Sequence, residues 1–105
     1  MGTASLLRSQ FKAALYTAGQ SVLIHNDFNT STGSSFEIRG LKSWMVNNPS
    51  QVVFQFPRRV DIRAGSVLQI RGRQELWKVV EVKDHLVGSE YIKFEVLVVG
   101  YSAER

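Results

Sequence analysis

The spacing of apolar residues predicts one helix near the start of the chain. Five apolar residues recur at the three- and four-residue intervals that place them on one helical face: Leu7, Phe11, Ala14, Leu15 and Ala18. Gly19 follows directly, and a glycine there favours a helix end in the left-handed conformation. A helix over residues 5–18 is too short to persist alone in water, so it must pack against the rest of the chain.

Beyond Gly19 apolar and polar residues alternate, which is typical of strands. The predicted strands cover residues 21–28, 36–46, 51–56, 67–70, 76–83 and 90–99. Gly40 interrupts the second strand and indicates a bulge or a sharp bend. The chain is therefore expected to form one mainly β domain, a six-stranded antiparallel barrel or sandwich at 21–99 with one N-terminal α-helix (α+β). The helix would cover an open end or one face, and residues 100–105 would form a flexible tail.

Polar segments between these strands predict the surface loops. The first loop comprises Asn29, Thr30, Ser31, Thr32, Gly33, Ser34 and Ser35. The second surrounds a turn signal and includes Met45, Val46, Asn47 and Asn48. A third turn is predicted over residues 84–89, with Gly88 near its apex.

The composition limits the compartment and the chemistry. The 105 residues include no cysteine, which excludes disulfides and thiolate metal sites and favours a reducing compartment. No apolar run reaches the length of about 18 residues that a membrane span needs, and no signal-peptide pattern is visible. We therefore expect no membrane association.

The net charge of +4 is concentrated between residues 58 and 73, where five arginines accompany one acid, Asp61. The arginines are Arg58, Arg59, Arg63, Arg71 and Arg73. Such a cluster favours an acidic partner such as nucleic acid. Arginines solvated around one turn would leave the same pattern, so the sequence leaves both interpretations open.

Catalytic and metal-binding motifs are missing from the sequence. His25 and His85 each lie beside an aspartate, but a catalytic zinc needs three converging protein ligands. The acids are scattered singly, without the pairing that general acid–base catalysis uses. We expect no enzymatic activity, no metal and no cofactor.

The two tryptophans leave alternatives open. Trp77 begins a predicted strand and alternates with Val79, which favours packing under a hairpin over a stacking platform for nucleic acid. Trp44 precedes a turn beside Lys42 and Met45. It is either a core residue or part of an exposed contact patch.

Residues 60–99, VDIRAGSVLQIRGRQELWKVVEVKDHLVGSEYIKFEVLVV, resemble the C-terminal half of the small head–tail connector proteins of long-tailed phages. These are head-closure or head–tail joining proteins, including the lambda-like joining type. The shared features are a turn at Arg63–Gly65, a strand at Val67–Ile70, a glycine at the next tip (Gly72), Trp77 and a final apolar strand. Ser66 departs from the family, which often has aspartate there.

This resemblance implies a non-enzymatic structural protein of a phage or prophage neck, present in the host cytoplasm during assembly. It implies a monomer in isolation and a hexameric ring in the virion, between a portal- or adaptor-side neck protein and a tail protein, with genomic DNA in the channel. The five arginines would face the channel or the neighbours, and the first two loops would become ordered on assembly. A tail-terminator or minor tail protein, and a small β-barrel that binds nucleic acid, remain the alternatives.

Overall fold

A computed structural model describes residues 3–26, 35–45 and 47–101 of the chain. Helix α1 (Thr3–Ala18) comes first and six strands follow. The strands are β1 (Gln20–His25), β2 (Ser35–Met45), β3 (Asn48–Phe56), β4 (Val67–Ile70), β5 (Leu76–Val87) and β6 (Glu90–Tyr101). In the described ranges, no helix combines the length and apolar character that crossing a membrane requires.

The six strands close into one barrel with the order β1-β2-β3-β6-β5-β4. Every pairing is antiparallel, and β4 closes the barrel by pairing with β1. The predicted mainly β fold with one helix is confirmed, and of the two predicted architectures the barrel is the one that forms. Closure leaves most strands with a neighbour on both sides, which protects their edges.

The barrel interior is filled by the apolar residues of the alternating strands. Its fully buried large side chains include Ile24, Phe54, Phe56, Leu68, Phe94 and Val96. The pattern of two residues per repeat explains this arrangement, because successive strand side chains point to opposite faces of the sheet. The third and last strands contribute alternate residues to this core: Val52, Phe54 and Phe56 on β3, and Phe94, Val96 and Val98 on β6.

Strand β2 changes partner at Gly40. It pairs with β1 as far as Gln20 opposite Gly40, and with β3 from Leu41 opposite Gln55 onward. A Cβ atom at position 40 would lie 2.6 Å from Cε1 of Phe56. The interruption predicted here is thus a change of partner strand, and glycine leaves room for the Phe56 ring beside the backbone.

The segment between β3 and β4 contributes two further core residues, Val60 and Ile62. A buried polar network holds this segment in place: the Asn26 side-chain amide donates to the Asp61 carbonyl (2.9 Å), and Ser66 Oγ donates to Asn26 Oδ1 (2.6 Å). Ser66 is fully buried. Because buried polar groups are costly when unpaired, this network fixes how the segment crosses the barrel.

Helix α1 packs against β6, β2 and β5. Of the five residues predicted on its buried face, only Phe11 is fully buried, while Leu7 and Ala18 are exposed. Ala4, two turns before Phe11, is the other buried residue of the helix. The Arg39 guanidinium donates to the carbonyl oxygens of Leu15 (3.0 Å) and Tyr16 (3.2 Å) in the last turn of the helix, and the Leu15 carbonyl also accepts from the Gly19 N–H (2.9 Å). The helix thus buries a narrower face than the sequence predicts.

Two predicted loops are shorter than expected at their described ends. Ser35, predicted in the first loop, begins β2 opposite His25. Asn48, predicted in a turn, begins β3 opposite Met45. In both cases the backbone of the partner strand supplies hydrogen bonds that the polar sequence alone does not indicate. Predictions for residues 27–34, Val46 and 102–105 lie outside the described residues.

The hairpin of β5 and β6 is longer than predicted. Residues 84–87, predicted as a turn, continue β5, with Asp84 opposite Phe94 and Val87 opposite Glu90. The turn itself is confined to Gly88 and Ser89, and Gly88 adopts a positive φ of 63°. Residues 100–101, predicted in the tail, belong to β6, since Tyr101 lies opposite Leu76. The polar residues predict a turn here, but one face of this hairpin is exposed and accepts polar side chains within a strand.

The change Gly40→Ala is expected to destabilise the protein by about 1–3 kcal/mol, because the new methyl group would overlap the Phe56 ring. Gly100→Ala is the matched control, since nothing lies within 4 Å of its added Cβ. Urea denaturation followed by circular dichroism measures both. Equal stability of the two variants would contradict the close approach of Phe56.

Candidate assembly and nucleic-acid surfaces

Four of the five predicted arginines are paired with nearby carboxylates. The pairs are Arg59–Asp84, Arg63–Asp61 (3.9 Å), Arg71–Glu37 (2.8 Å) and Arg73–Glu75 (4.0 Å). Within the part of the chain that the structure describes, Arg58 alone of the five has no carboxylate within 4.0 Å. Most of the predicted basic cluster is therefore neutralised locally.

The same arginines do not form one surface. Arg58, Arg59 and Arg63 precede β4, whereas Arg71 and Arg73 follow it. Strand β4 runs straight between these two groups for four residues, which corresponds to about 10 Å. Although the two groups of arginines are close in sequence, they therefore lie at opposite ends of β4.

Arg59 braces the long hairpin. Its guanidinium lies 5.9 Å from the centre of the Phe94 ring and pairs with Asp84, which also accepts a hydrogen bond from the Tyr91 hydroxyl (2.9 Å). Burial, together with this hydrogen bond to Asp84, raises the pKa of the Tyr91 phenol above its usual range. The contacts give Arg59 a structural role in joining the β3–β4 segment to the hairpin.

A lysine stacked on two tryptophans forms a second basic feature. Lys42 and Trp44 are two residues apart on β2 and therefore share a face. Lys42 Nζ lies 5.7 Å from the centre of the Trp44 ring and 4.9 Å from that of the Trp77 ring. Among the described residues no carboxylate pairs with Lys42. We call Lys42, Trp44 and Trp77 the aromatic cluster.

The two tryptophans of the aromatic cluster have different environments. Trp77 packs edge-on against Phe54, with ring centres 6.3 Å apart, and its buried indole N–H has no hydrogen-bond partner among the described residues. Trp44 is 55% exposed. Of the alternatives left by the sequence, Trp77 packs against the core and Trp44 is an exposed surface residue.

A second lysine, Lys78, lies over a tyrosine ring where the start of β5 meets the end of β6. Lys78 Nζ lies 5.5 Å from the centre of the Tyr101 ring. Lys78 follows Trp77 directly on β5, so its side chain points to the opposite face of the sheet. Lys42 on β2 and Lys78 on β5 thus both lie over aromatic rings, and among the described residues neither has a carboxylate within 4.0 Å.

The hairpin between β2 and β3 presents the described part of the second predicted loop. Met45, Asn47 and Asn48 are exposed there, next to Trp44. The Asn48 side-chain oxygen accepts a hydrogen bond from Ser50 Oγ (2.7 Å). The predicted assembly residues of this hairpin are therefore accessible and adjoin the exposed indole.

A cleft beside this hairpin contains one half-buried carboxylate, Glu95. Its carboxylate accepts from the Gln55 amide (3.2 Å) and bonds to His85 Nε2 (2.9 Å). Burial by itself would raise the pKa of Glu95, but the hydrogen bonds from His85 and Gln55 outweigh it and hold the pKa below its usual value. No group of three potential metal ligands occurs within the described ranges, so this pair forms no metal centre there.

Sequence reasoning missed the aromatic cluster. The available signal was the two-residue spacing of Lys42 and Trp44, which on a strand places both on one face. The approach of Trp77 carried no such signal, because only closure of the barrel brings β5 near β2. The sequence shows the cluster of five arginines but not the carboxylate partners of four of them, which come from distant strands or from the adjoining turns.

Comparisons with known proteins found no relative of this chain. No protein-family model matches it, and no match was found among the curated proteins or among the solved structures. The assignment of a function therefore depends on the contacts above and on the resemblance carried by residues 60–99.

Glu95→Gln is expected to lower the free energy of unfolding at neutral pH and to have a smaller effect in acid. A carboxyl whose pKa is lowered by folding stabilises the protein above its unfolded pKa, about 4.3. That contribution disappears as the pH falls through the lower folded value. Urea titrations at several pH values measure the difference, with Glu75→Gln in the exposed β4–β5 turn as control. A destabilisation that stays constant into acid would contradict the ionised Glu95.

Proposed function

We propose that the protein is a structural component of a phage or prophage neck, where copies form a hexameric ring around the DNA channel. The observation that carries the proposal is the architecture: a small closed barrel with one N-terminal helix is what the resemblance of residues 60–99 implies. The partners are a portal- or adaptor-side neck protein and a tail protein, and the protein acts at the virion neck after assembly in the host cytoplasm. This role requires surfaces for neighbours and no reaction.

The β2–β3 hairpin supports an assembly role. Trp44 and Met45 are large, apolar and exposed, and they lie beside the polar tip at Asn47 and Asn48. Tryptophan is enriched among the residues that dominate binding energy at protein interfaces. We assign the contact with a neck neighbour to this hairpin, with Trp44 as its central residue.

The charge distribution supports a channel that tolerates DNA. Ion pairs cancel most of the charge of the predicted arginine cluster, while Lys42 on β2 and Lys78 on β5 have no carboxylate partner among the described residues. Charges of one sign add up when copies are arranged in a ring. A moderate positive field allows the DNA to pass without the strong local binding that five free arginines would produce.

Trp44→Ala is expected to reduce the joining of heads to tails several-fold while leaving the fold intact, because Trp44 is exposed and its loss removes contact area only. Tyr16→Ala is the control, since Tyr16 is an aromatic residue that is 83% exposed and belongs to α1 rather than to the hairpin. Electron microscopy of portal-bearing heads mixed with each variant counts the occupied necks, and infectivity measures joining. If wild-type protein occupies no necks, the neck function itself is wrong. If both variants join normally, only the role of Trp44 is wrong.

A second candidate function is the binding of single-stranded nucleic acid by the isolated barrel. The aromatic cluster favours it, because an exposed indole beside an unpaired lysine combines base stacking with phosphate attraction. One exposed ring is a small platform, which ranks this candidate below the first.

If the second function holds, labelled single-stranded DNA will bind with an affinity that falls as salt rises. Lys42→Gln would weaken this binding and flatten its salt dependence, whereas Arg73→Gln would change it little, because Arg73 is paired with Glu75. Fluorescence anisotropy measures both. Equal losses for the two variants would argue for non-specific attraction and against a site at Lys42.

A further inference from the structure

Among the described residues, the second half of β5 forms an open strand edge of the barrel. Strand β4 covers only the start of β5, with Leu68 opposite Trp77 and Val67 opposite Lys78. Two more backbone hydrogen bonds follow at Val79. Its carbonyl accepts from the Gly65 N–H (2.9 Å), and its N–H donates to the Ser66 carbonyl (2.8 Å). From position 80 to 87, the described residues pair β5 with β6 alone. We call this eight-residue stretch the open edge.

The side chains of the open edge do little to block a new strand. It contains no proline, and Val80 and Leu86 near its two ends are each 53% exposed. Register shifts lie between Val79 and Glu81 and between His85 and Leu86, so residues 81–85 form a regular stretch between them. An unpaired edge of this kind offers free N–H and C=O groups to another strand.

We propose that the open edge pairs with the same edge of a second copy of this chain, antiparallel and centred on Val82. In this register each Glu81 lies opposite Lys83 of the other copy, so two opposite-charge pairs flank the central valines. Centring on Lys83 would place two lysines opposite each other, and centring on Glu81 would oppose two glutamates. Opposite charges stabilise directly facing strand positions and like charges destabilise them, which selects the Val82-centred register.

The charges needed for this pairing are available. Glu81 and Lys83 are both exposed, and within the described part of the chain neither forms an ion pair. Val82 points inward and packs against the core cluster, so pairing through the backbone leaves the barrel interior unchanged. At the ends of the new pairing Val80 faces Asp84, whose carboxylate stays bound to Arg59 and Tyr91.

This contact is independent of the proposed ring. A pairing in which the same surface meets itself closes after two copies and yields a two-fold dimer, whereas a ring needs two different surfaces. The expectation of a monomer in isolation is therefore replaced by that of a dimer in solution. The head–tail joining experiment tests the neck function. The oligomeric state of the free protein in solution tests the dimer.

Disulfide trapping tests the register, because the chain has no native cysteine to interfere. Two single variants, Glu81→Cys and Lys83→Cys, are purified and oxidised alone and as a mixture. Directly opposite strand residues lie within disulfide range, so the mixture is expected to cross-link and neither variant alone is. Cross-linking of Lys83→Cys alone would establish a different register and overturn the proposed pairing.

Charge exchange tests the pairing without cysteines. Glu81→Lys is expected to weaken the dimer roughly tenfold, because both opposite-charge pairs become repulsive. Adding Lys83→Glu restores the pairs and the dimer. Glu75→Lys, with the same charge change in the β4–β5 turn, is the control. Analytical ultracentrifugation measures each dissociation constant. A wild-type chain that stays monomeric at millimolar concentration, or a double variant no tighter than Glu81→Lys, would overturn the proposal.

Discussion

Closure of the six-stranded sheet around three phenylalanine rings is the constraint on which the other features depend. Phe54, Phe56 and Phe94 occupy the interior, and β2 must change partner at Gly40 for the sheet to pass around them. Any side chain at position 40 would enter the space of Phe56. The absence of a side chain at Gly40 thus allows β2 to pair with both β1 and β3 while the Phe56 ring fills the core beside it.

This closure also produces the aromatic cluster. Beyond Gly40 the strand β2 continues beside β3, and its inward side chains reach the mouth of the barrel. There Lys42 lies over the ring of Trp77, which belongs to β5. The exposed Trp44 is held beside the same lysine. A surface that combines an indole with an unpaired ammonium group therefore results from the way the core is enclosed, and the proposed contacts of the β2–β3 hairpin follow from it.

The electrostatics of the molecule follow from pairs made across strands. Arg71 reaches Glu37 on β2, and Arg59 reaches Asp84 on β5. Exposed pairs of this kind contribute little to stability, but they remove charge from the surface that a partner meets. The long β5–β6 hairpin is braced on one side by Arg59 and contains the half-buried Glu95, while the far edge of β5 stays open. The same hairpin thus contacts the β3–β4 segment through Arg59 and keeps backbone groups of β5 available to a further strand.

The amino-acid sequence alone determined the number and order of the elements and the place where β2 is interrupted. These features depend on local periodicity, which the backbone geometry of helices and strands imposes directly. Only the tertiary structure decided the extent of β5, the inclusion of Ser35 and Asn48 in strands, the neutralisation of four arginines and the meeting of Lys42 with Trp77. Most of these depend on hydrogen bonds and charges supplied by residues far away in the chain, and a local pattern of polar and apolar residues does not specify which strand becomes a neighbour.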